Sequence, residues 1–340
     1  METRDFKYLL AYTLPLSGII GINLAGYYSF MTVIIAYLII PIIDGLIPRS
    51  RENLDIDLAR KKSLNSYFDS ILLVNLPLVY IVLFLFLNKV SSGLLSNFEL
   101  VGLVITTAIV FTTSGINVAH ELGHKPERYN KIVAQLLLLP SMYMHFFIEH
   151  NRGHHLNVST KEDPASARKG EMFYVFWFRS VIGQWIDSWK LEYKRLKKID
   201  LLHNQMFHFT VIQLLFLGVI FYVFGSTVML LFLATAILSF TQLELVNYIE
   251  HYGLERKMTS SGRYEKVSSI HSWNSNHEVG RIMLYELTRH SDHHYKSAKK
   301  FQILDHHDNS PQLPFGYPTS MLISLVPPLW FKLMDGRVPG

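Results

Sequence analysis

LVGLVITTAIVFTTSGINVAHELGHK, residues 100 to 125, decides the fold. Its first part, Leu100 to Ala119, carries no charge and is long enough to cross a bilayer as a helix, about twenty residues at 1.5 Å each. Two histidines four apart, His120 and His124, follow at once with Glu121 between them. On a helix, positions three and four apart lie on one face. The stretch therefore predicts an apolar span that delivers a pair of imidazoles to its end.

The same arrangement recurs along the chain. Further apolar runs of spanning length lie at Tyr8 to Tyr27, Met31 to Ile47, Tyr67 to Asn88, Phe207 to Phe224 and Thr227 to Asn247. Of the 340 residues 49% are hydrophobic and only 17% charged, against roughly a quarter charged in soluble domains. The expected fold class is all-α, a six-transmembrane-helix bundle with a histidine-rich metal-binding cap. The cap would combine residues 120–206 and 248–340, and 1–340 would form a single integral-membrane domain, since no repeat or Pro/Gly/Ser linker divides it.

Lys and Arg set the orientation, because loops on the cytoplasmic side carry the positive excess. Arg49, Arg51, Arg60, Lys61 and Lys62 follow the second span. Lys125, Arg128, Lys131, Arg152 and the run Lys190 to Lys198 lie between the fourth and fifth. The opposite connections are almost bare of charge, so both termini and the cap are expected in the cytoplasm, and the chain in the bacterial inner membrane as a multi-pass protein. No signal peptide is expected, because the first apolar run is too long for an h-region and a second follows at once.

Zero cysteines exclude disulfides, a cysteine-ligated iron–sulfur cluster and a haem thiolate. Neither GxGxxG nor a Walker A sequence occurs, so no nucleotide site is evident, and no nucleic-acid partner is expected. A redox enzyme of this kind takes its electrons from another protein.

Nine histidines fall into four clusters: His120/His124, His150/His154/His155, His251 and His290/His293/His294. Nine are too many for one ion. HExxH alone suggests a zinc protease, but a catalytic zinc takes three protein ligands, which leaves seven histidines unexplained. Adjacent side chains on a helix point about 100° apart, so His154 and His155 are suited to two different ions. Glu244, Asn247 and Tyr248 share a helical face with His251, and polar groups on a span usually line a site. Carboxylates beside ligands hold the imidazole tautomer, which makes Glu121, Glu149, Glu250 and Asp292 supporting candidates with Glu244 and Asn247. His306-His307, lacking an i+4 partner, reads as a surface pair. Imidazole suits iron, copper, zinc and nickel. A redox pair at the mouth of an apolar bundle suits oxygen activation and points to iron.

HELGHK at 120–125, EHNRGHHLNVSTKEDPASAR at 149–168, NYIEHYGLER at 247–256, HSWNSNH at 271–277, LTRHSDHH at 287–294 and LPFGYP at 313–318 together resemble the AlkB-type integral-membrane alkane monooxygenases. The resemblance runs from about Pro41 to Pro318, with a slight departure at Thr160-Lys161-Glu162-Asp163. It implies a non-haem diiron enzyme that inserts an oxygen atom of O₂ at the terminal carbon of a medium- to long-chain alkane. It implies two Fe ions held by the nine histidines, with electrons from rubredoxin and its NAD(P)H-dependent reductase. His271 and His277 would support the site, and no separate acid–base residue is expected. A membrane fatty-acyl desaturase or hydroxylase is the alternative of similar architecture. Alkane would enter from the lipid bilayer between the first four spans, where Ala36 leaves room and Asp44 and Asp69 are the acidic exceptions. Lys190, Lys194, Arg195, Lys197, Lys198, Lys296, Lys299 and Lys300 offer a basic docking face for a small acidic carrier.

Overall fold

The computed structural model describes residues 2–197 and 199–339; Lys198 of the basic run and Met1 lie outside the described residues. Among those described all regular structure is helical, and only two isolated bridges, Met258 to Tyr264 and Asn274 to Gln312, pair extended backbone. Among the described residues four helices are long and apolar enough to cross a membrane: Gly26–Leu46, Tyr67–Ser91, Asn97–Gly123 and Gln205–His251. The last is two helices meeting at Gly225, whose φ of 82° and ψ of 175° break the helix. Phe216 and Phe232, on either side of the break, stack edge to face at 5.7 Å, so the chain reverses there. The sequence-expected run Tyr8 to Tyr27 is realised as a 3₁₀ turn Thr3–Tyr12 leading into a short helix Thr13–Leu24.

Local chemistry closes the first hairpin. Ala25 and Gly26 both take positive φ, and Ser17 Oγ meets Thr32 Oγ1 across the pair at 2.8 Å. Glu99 then works three ways. Its Oε2 accepts from the Ser96 amide at 2.8 Å in a capping box, its own amide donates to Ser96 Oγ at 3.3 Å, and its Oε1 accepts from the Gly26 amide at 2.8 Å. Thus one carboxylate starts the helix Asn97–Gly123 and pins the turn of the first hairpin. Gly102 allows the close approach that follows: a Cβ there would sit 2.7 Å from Ser29 and Phe30.

Asp44, expected in a substrate path, is instead a cap. Its carboxylate is buried at the end of Gly26–Leu46 and accepts from the amides of Val279 at 2.7 Å and Gly280 at 3.0 Å. Those amides open the short helix Glu278–Met283, and an acid at a helix start satisfies amides that have no partner of their own. Gly26–Leu46 is thereby tied to the C-terminal part of the chain.

The helix Phe173–Leu196, read from sequence as part of a water-facing cap, has its polarity reversed. Ser180, Gln184, Ser188 and Glu192 point inward, while Phe178, Ile182, Trp185 and Ile186 are exposed.

Candidate metal centre

All nine histidines converge, and they divide into two adjoining groups. His120, His124, His150, His155 and His293 form one, and His154, His251, His290 and His294 the other, with one ring nitrogen of each lying within 4.8 Å of the others in its group. His120 sits on the last turn of Asn97–Gly123 with His124 just past it, and His251 ends Gln205–His251. The short helix His290–Tyr295 sends His290 and His294, four apart, to one group and His293 to the other.

The middle cluster departs from the α-helical expectation. His150 and His154, four apart, do not share a group. The segment His150–His154 is a π turn in which the His155 amide reaches back to the His150 carbonyl, so the residue five along comes over the first. His155 Nε2 accordingly lies 3.0 Å from His150 Nε2, and His154 falls to the other group. The same turn separates the adjacent pair His154 and His155 between the two groups, as expected of neighbours pointing apart.

The spacing of the nitrogens fits metal ions. In the first group Nε2 atoms of His124, His150, His155 and His293 lie 3.0 to 3.2 Å apart in contacting pairs, and in the second His251 and His290 are 3.3 Å apart. Ligands about 2.1 Å from one ion are separated by about 3.0 Å at a right angle and about 3.4 Å at the tetrahedral angle. Nε2 of His120 and of His154, and both ring nitrogens of His294, are buried with no protein partner. Unpartnered buried polar atoms are costly, and an ion removes the cost. Burial also keeps the rings neutral. It pushes the His124 imidazole down to about 4, aided by His154, and holds His150, His155, His290, His293 and His294 well below the usual imidazole value, with neighbouring histidines adding to the effect. Neutral imidazole is the form that binds a metal.

Two carboxylates touch the rings. Glu250 Oε2 lies 3.1 Å from His290 Nε2, the nitrogen that also faces His251, and its Oε1 accepts from Tyr317 Oη at 2.6 Å. Asp163 Oδ2 meets His154 Nδ1 at 2.9 Å and accepts from Ser166 Oγ, while its Oδ1 accepts from the Ala165 amide at 3.0 Å. Asp163 thus fixes the tautomer that turns His154 Nε2 into the second group. Sequence reasoning missed it because it stands nine residues beyond His154, outside the helical period. Its place in the motif 149–168, just before Pro164, was the available signal.

The other supporting candidates are placed elsewhere. Glu121 accepts from the Phe301 amide at 3.2 Å, so the acid of HExxH is tied to a loop amide. Asp292 is held by the Lys299 ammonium, by His307 Nε2 at 2.7 Å and by the Asp305 amide at 2.8 Å. This also draws His307 out of the surface role read for it. Glu149 is buried with neither oxygen partnered, and burial raises its carboxyl well above the carboxylate range. Glu244 accepts from Tyr143 at 3.0 Å and Gln184 at 2.9 Å. His271 pairs with Glu265 at 3.3 Å and His277 with Ser275 at 2.8 Å; neither enters a histidine group.

An apolar cavity leads from the histidines into the bundle. His120, His150, His290, Asn247 and Glu250 close its inner end, and Leu14, Ala36, Ile40, Ile109 and Met283 wall it among the spans. Tyr37 Oη donates to Gln242 Oε1 at 2.8 Å on its wall. Asp69 is not among its lining residues: it pairs with Lys125 and, at 3.8 Å, Lys300. The helix Glu278–Met283 separates this cavity from a second, polar one lined by Lys7, Tyr8, Lys62, Arg281, Glu286 and Arg289. There Glu286 accepts from Tyr8 Oη at 2.6 Å and lies 2.8 Å from Arg281 Nε, 3.4 Å from Lys7 and 3.8 Å from Arg289.

Comparison with known proteins places this geometry. The fatty acid desaturase family model matches residues 97–321. The chain is 35% identical to an alkane 1-monooxygenase of Acinetobacter baylyi over 99% of its own length and 86% of that protein's. It is 34% identical to alkane 1-monooxygenase 2 of Pseudomonas aeruginosa, covering 96% and 91% respectively. The hydroxylase component of the xylene/toluene monooxygenase of Pseudomonas putida is 25% identical, over 96% of this chain and 87% of that one.

Proposed function

The chain belongs to the fatty acid desaturase family and, within it, to the alkane 1-monooxygenases, and from that premise we propose that it hydroxylates the terminal methyl of medium- to long-chain n-alkanes to 1-alkanols, working as one integral-membrane unit. The observation that carries this reading is the juxtaposition of nine buried, convergent imidazoles with an apolar cavity that enters the bundle. The reaction consumes the alkane, O₂, two electrons and two protons, and yields the alcohol and water.

The nine histidines are the proposed ligands of two iron ions, five on one and four on the other. When bound, such ions supply oxygen activation and accept the electrons; the protein supplies everything else. The walls of the cavity exclude water and align a chain end-on toward His120, His150 and His290. Tyr317 holds Glu250 against His290, and Asp163 holds the proton on His154 Nδ1. No acid–base role is proposed for the carboxylates of Glu121 and Glu149.

Rubredoxin, reduced by its NAD(P)H-dependent reductase, is the proposed electron donor. The excess of Lys and Arg beside the metal centre supports a cytoplasmic location for that face and for both termini, in a bundle of six spans in the inner membrane. The test is elemental analysis of purified protein together with turnover of octane and hexadecane by rubredoxin and its reductase. Two irons per chain with 1-alkanol product is the expected result. One zinc without oxygen uptake would restore the protease reading, and an alkene or a modified acyl chain would move the protein to the desaturases.

A further inference from the structure

The helix Phe173–Leu196 is 24 residues long and presents the wrong side to its own protein for a water-facing helix. Ser180, Gln184, Ser188 and Glu192, at successive intervals of four, form its buried stripe. Gln184 donates to Glu244 at 2.9 Å, and Glu192 accepts from the Gln205 amide at 2.8 Å. On the opposite side Phe178 is 62% exposed, Ile182 55%, Trp185 47% and Ile186 41%. These positions also recur at intervals of three and four, so the apolar stripe is continuous. An isolated exposed apolar residue needs no explanation, but a continuous stripe marks an interaction surface.

Two contacts fix the depth of this helix. Trp177 Nε1 donates to Thr241 Oγ1 at 3.0 Å near one end, and Glu192 holds Gln205 near the other. Thr241 stands sixteen residues past the Gly225 reversal and Gln205 twenty before it, which at 1.5 Å per residue is about 24 Å and about 30 Å along the two helices. Between Trp177 and Glu192 the helix advances about 22 Å but changes depth by only about 6 Å. It therefore runs nearly across the spans, at a distance from the reversal close to the thickness of a hydrocarbon core, about 30 Å. Along its flank the exposed Trp185 and the half-buried Trp189 lie edge to face at 6.0 Å, and Trp189 stacks on Tyr193 at 5.9 Å. Lys190 and Lys194 follow, exposed. Indole and phenol rings next to basic side chains are the pattern of a segment at the boundary between acyl chains and headgroups.

We propose that Phe173–Leu196 is an in-plane membrane helix, its outer stripe seated among the acyl chains of the leaflet nearest the metal centre and its basic end among anionic headgroups. The surface is continuous with the lipid-facing sides of Gln205–His251, on which the helix packs. Lipid is therefore its occupant, and the metal centre is held at the bilayer boundary rather than out in water.

The chain has no cysteine, so the variants F178C, I182C and I186C each carry a single nitroxide label. In nanodiscs of equal parts phosphatidylcholine and phosphatidylglycerol, oxygen should relax all three labels while a water-soluble nickel chelate loses access to them. Relaxation by the chelate at these positions would overturn the proposal. So would protection from both reagents accompanied by spin–spin coupling between copies, which would make the stripe a subunit contact. A second measurement needs no substitution. Three of the five tryptophans lie on this helix, and the others, Trp273 and Trp330, are buried. Acyl chains brominated near the headgroup should quench the emission, and W185F/W189F should lose most of that quenching. Emission unchanged by the brominated lipid would count against lipid contact.

Discussion

Two cavities lie back to back across the six-residue helix Glu278–Met283, and they are built on opposite principles. The one on the side of Gly280 and Met283 is apolar and ends on neutral imidazoles. The one on the side of Arg281 is lined by charges that are already matched, with Glu286 facing Arg281, Lys7 and Arg289. In the first, buried nitrogens are left without protein partners, and in the second the buried carboxylate has several. Buried ring nitrogens without protein partners are the chemistry of a metal site. Ion pairs of opposite charge make a joint that holds the N-terminal turn against the C-terminal part of the chain.

Removing one ligand from each histidine group gives the sharpest separation. H154A and H293A should each lose metal and turnover altogether, as read by elemental analysis and 1-octanol formation, while leaving the Glu286 joint folded. Wild-type metal content in both would dissolve the contrast. E286Q should do the reverse. It leaves buried cations uncompensated, which costs about 3–5 kcal/mol, seen as a lower thermal midpoint in detergent with the range of alkanes oxidised unchanged.

Acid should separate the two regions in order. The His124 imidazole, held at about 4 in the fold, takes up a proton near 6.5 once unfolded. The unfolded state thus binds more protons as pH falls from about 6.5 to about 4, and metal-free protein loses stability across that window. For Glu286 burial raises the carboxyl, but Arg281, Lys7 and Arg289 more than offset it, so its pKa lies below 4.5. Its contribution is intact above about 4.5 and lost as pH falls through the lowered value. Acid titration of metal-free protein should accordingly show the histidine region opening first. Simultaneous loss would mean that the two regions unfold as one.

Smaller effects test the walls. D163N should weaken metal binding about 10- to 100-fold without removing any ligand, a shift that metal competition would read. A36F, which places a ring in the apolar cavity, should reduce hexadecane oxidation more than octane oxidation and leave metal content alone. Equal loss on both alkanes would remove Ala36 from the substrate path.

The reach of the sequence differs between these regions for physical reasons. The histidines are legible because they stand at helical spacing after uncharged runs, and local periodicity is what a sequence displays. The grouping of His150 with His155 is not legible, since a π turn alters the period without altering composition. Asp44 looks like a polar residue in a span, and only the fold brings the amides of residues 279 and 280 to it. Asp163 likewise reaches His154 through a turn. Phe173–Leu196 was legible in principle. Its stripe of Phe178, Ile182, Trp185 and Ile186 is periodic, but the basic residues at its end lead a reader to place it in water.

The π turn at His150–His154 makes this site sensitive to backbone pitch as well as to side-chain chemistry. Such a turn is geometrically one extra residue held within a helix. Deleting Asn151 and relaxing to the ordinary pitch would leave His155 four along from His150 and still over it. Closing the turn to the ordinary pitch at full length would instead carry the imidazoles after it about 100° around the axis and exchange their allegiance between the two groups. Inserting a residue here should thus be damaging where deleting Asn151 is tolerated, because the turn already holds one residue more than an ordinary helix needs, and its pitch sorts the imidazoles into two metal sites rather than one.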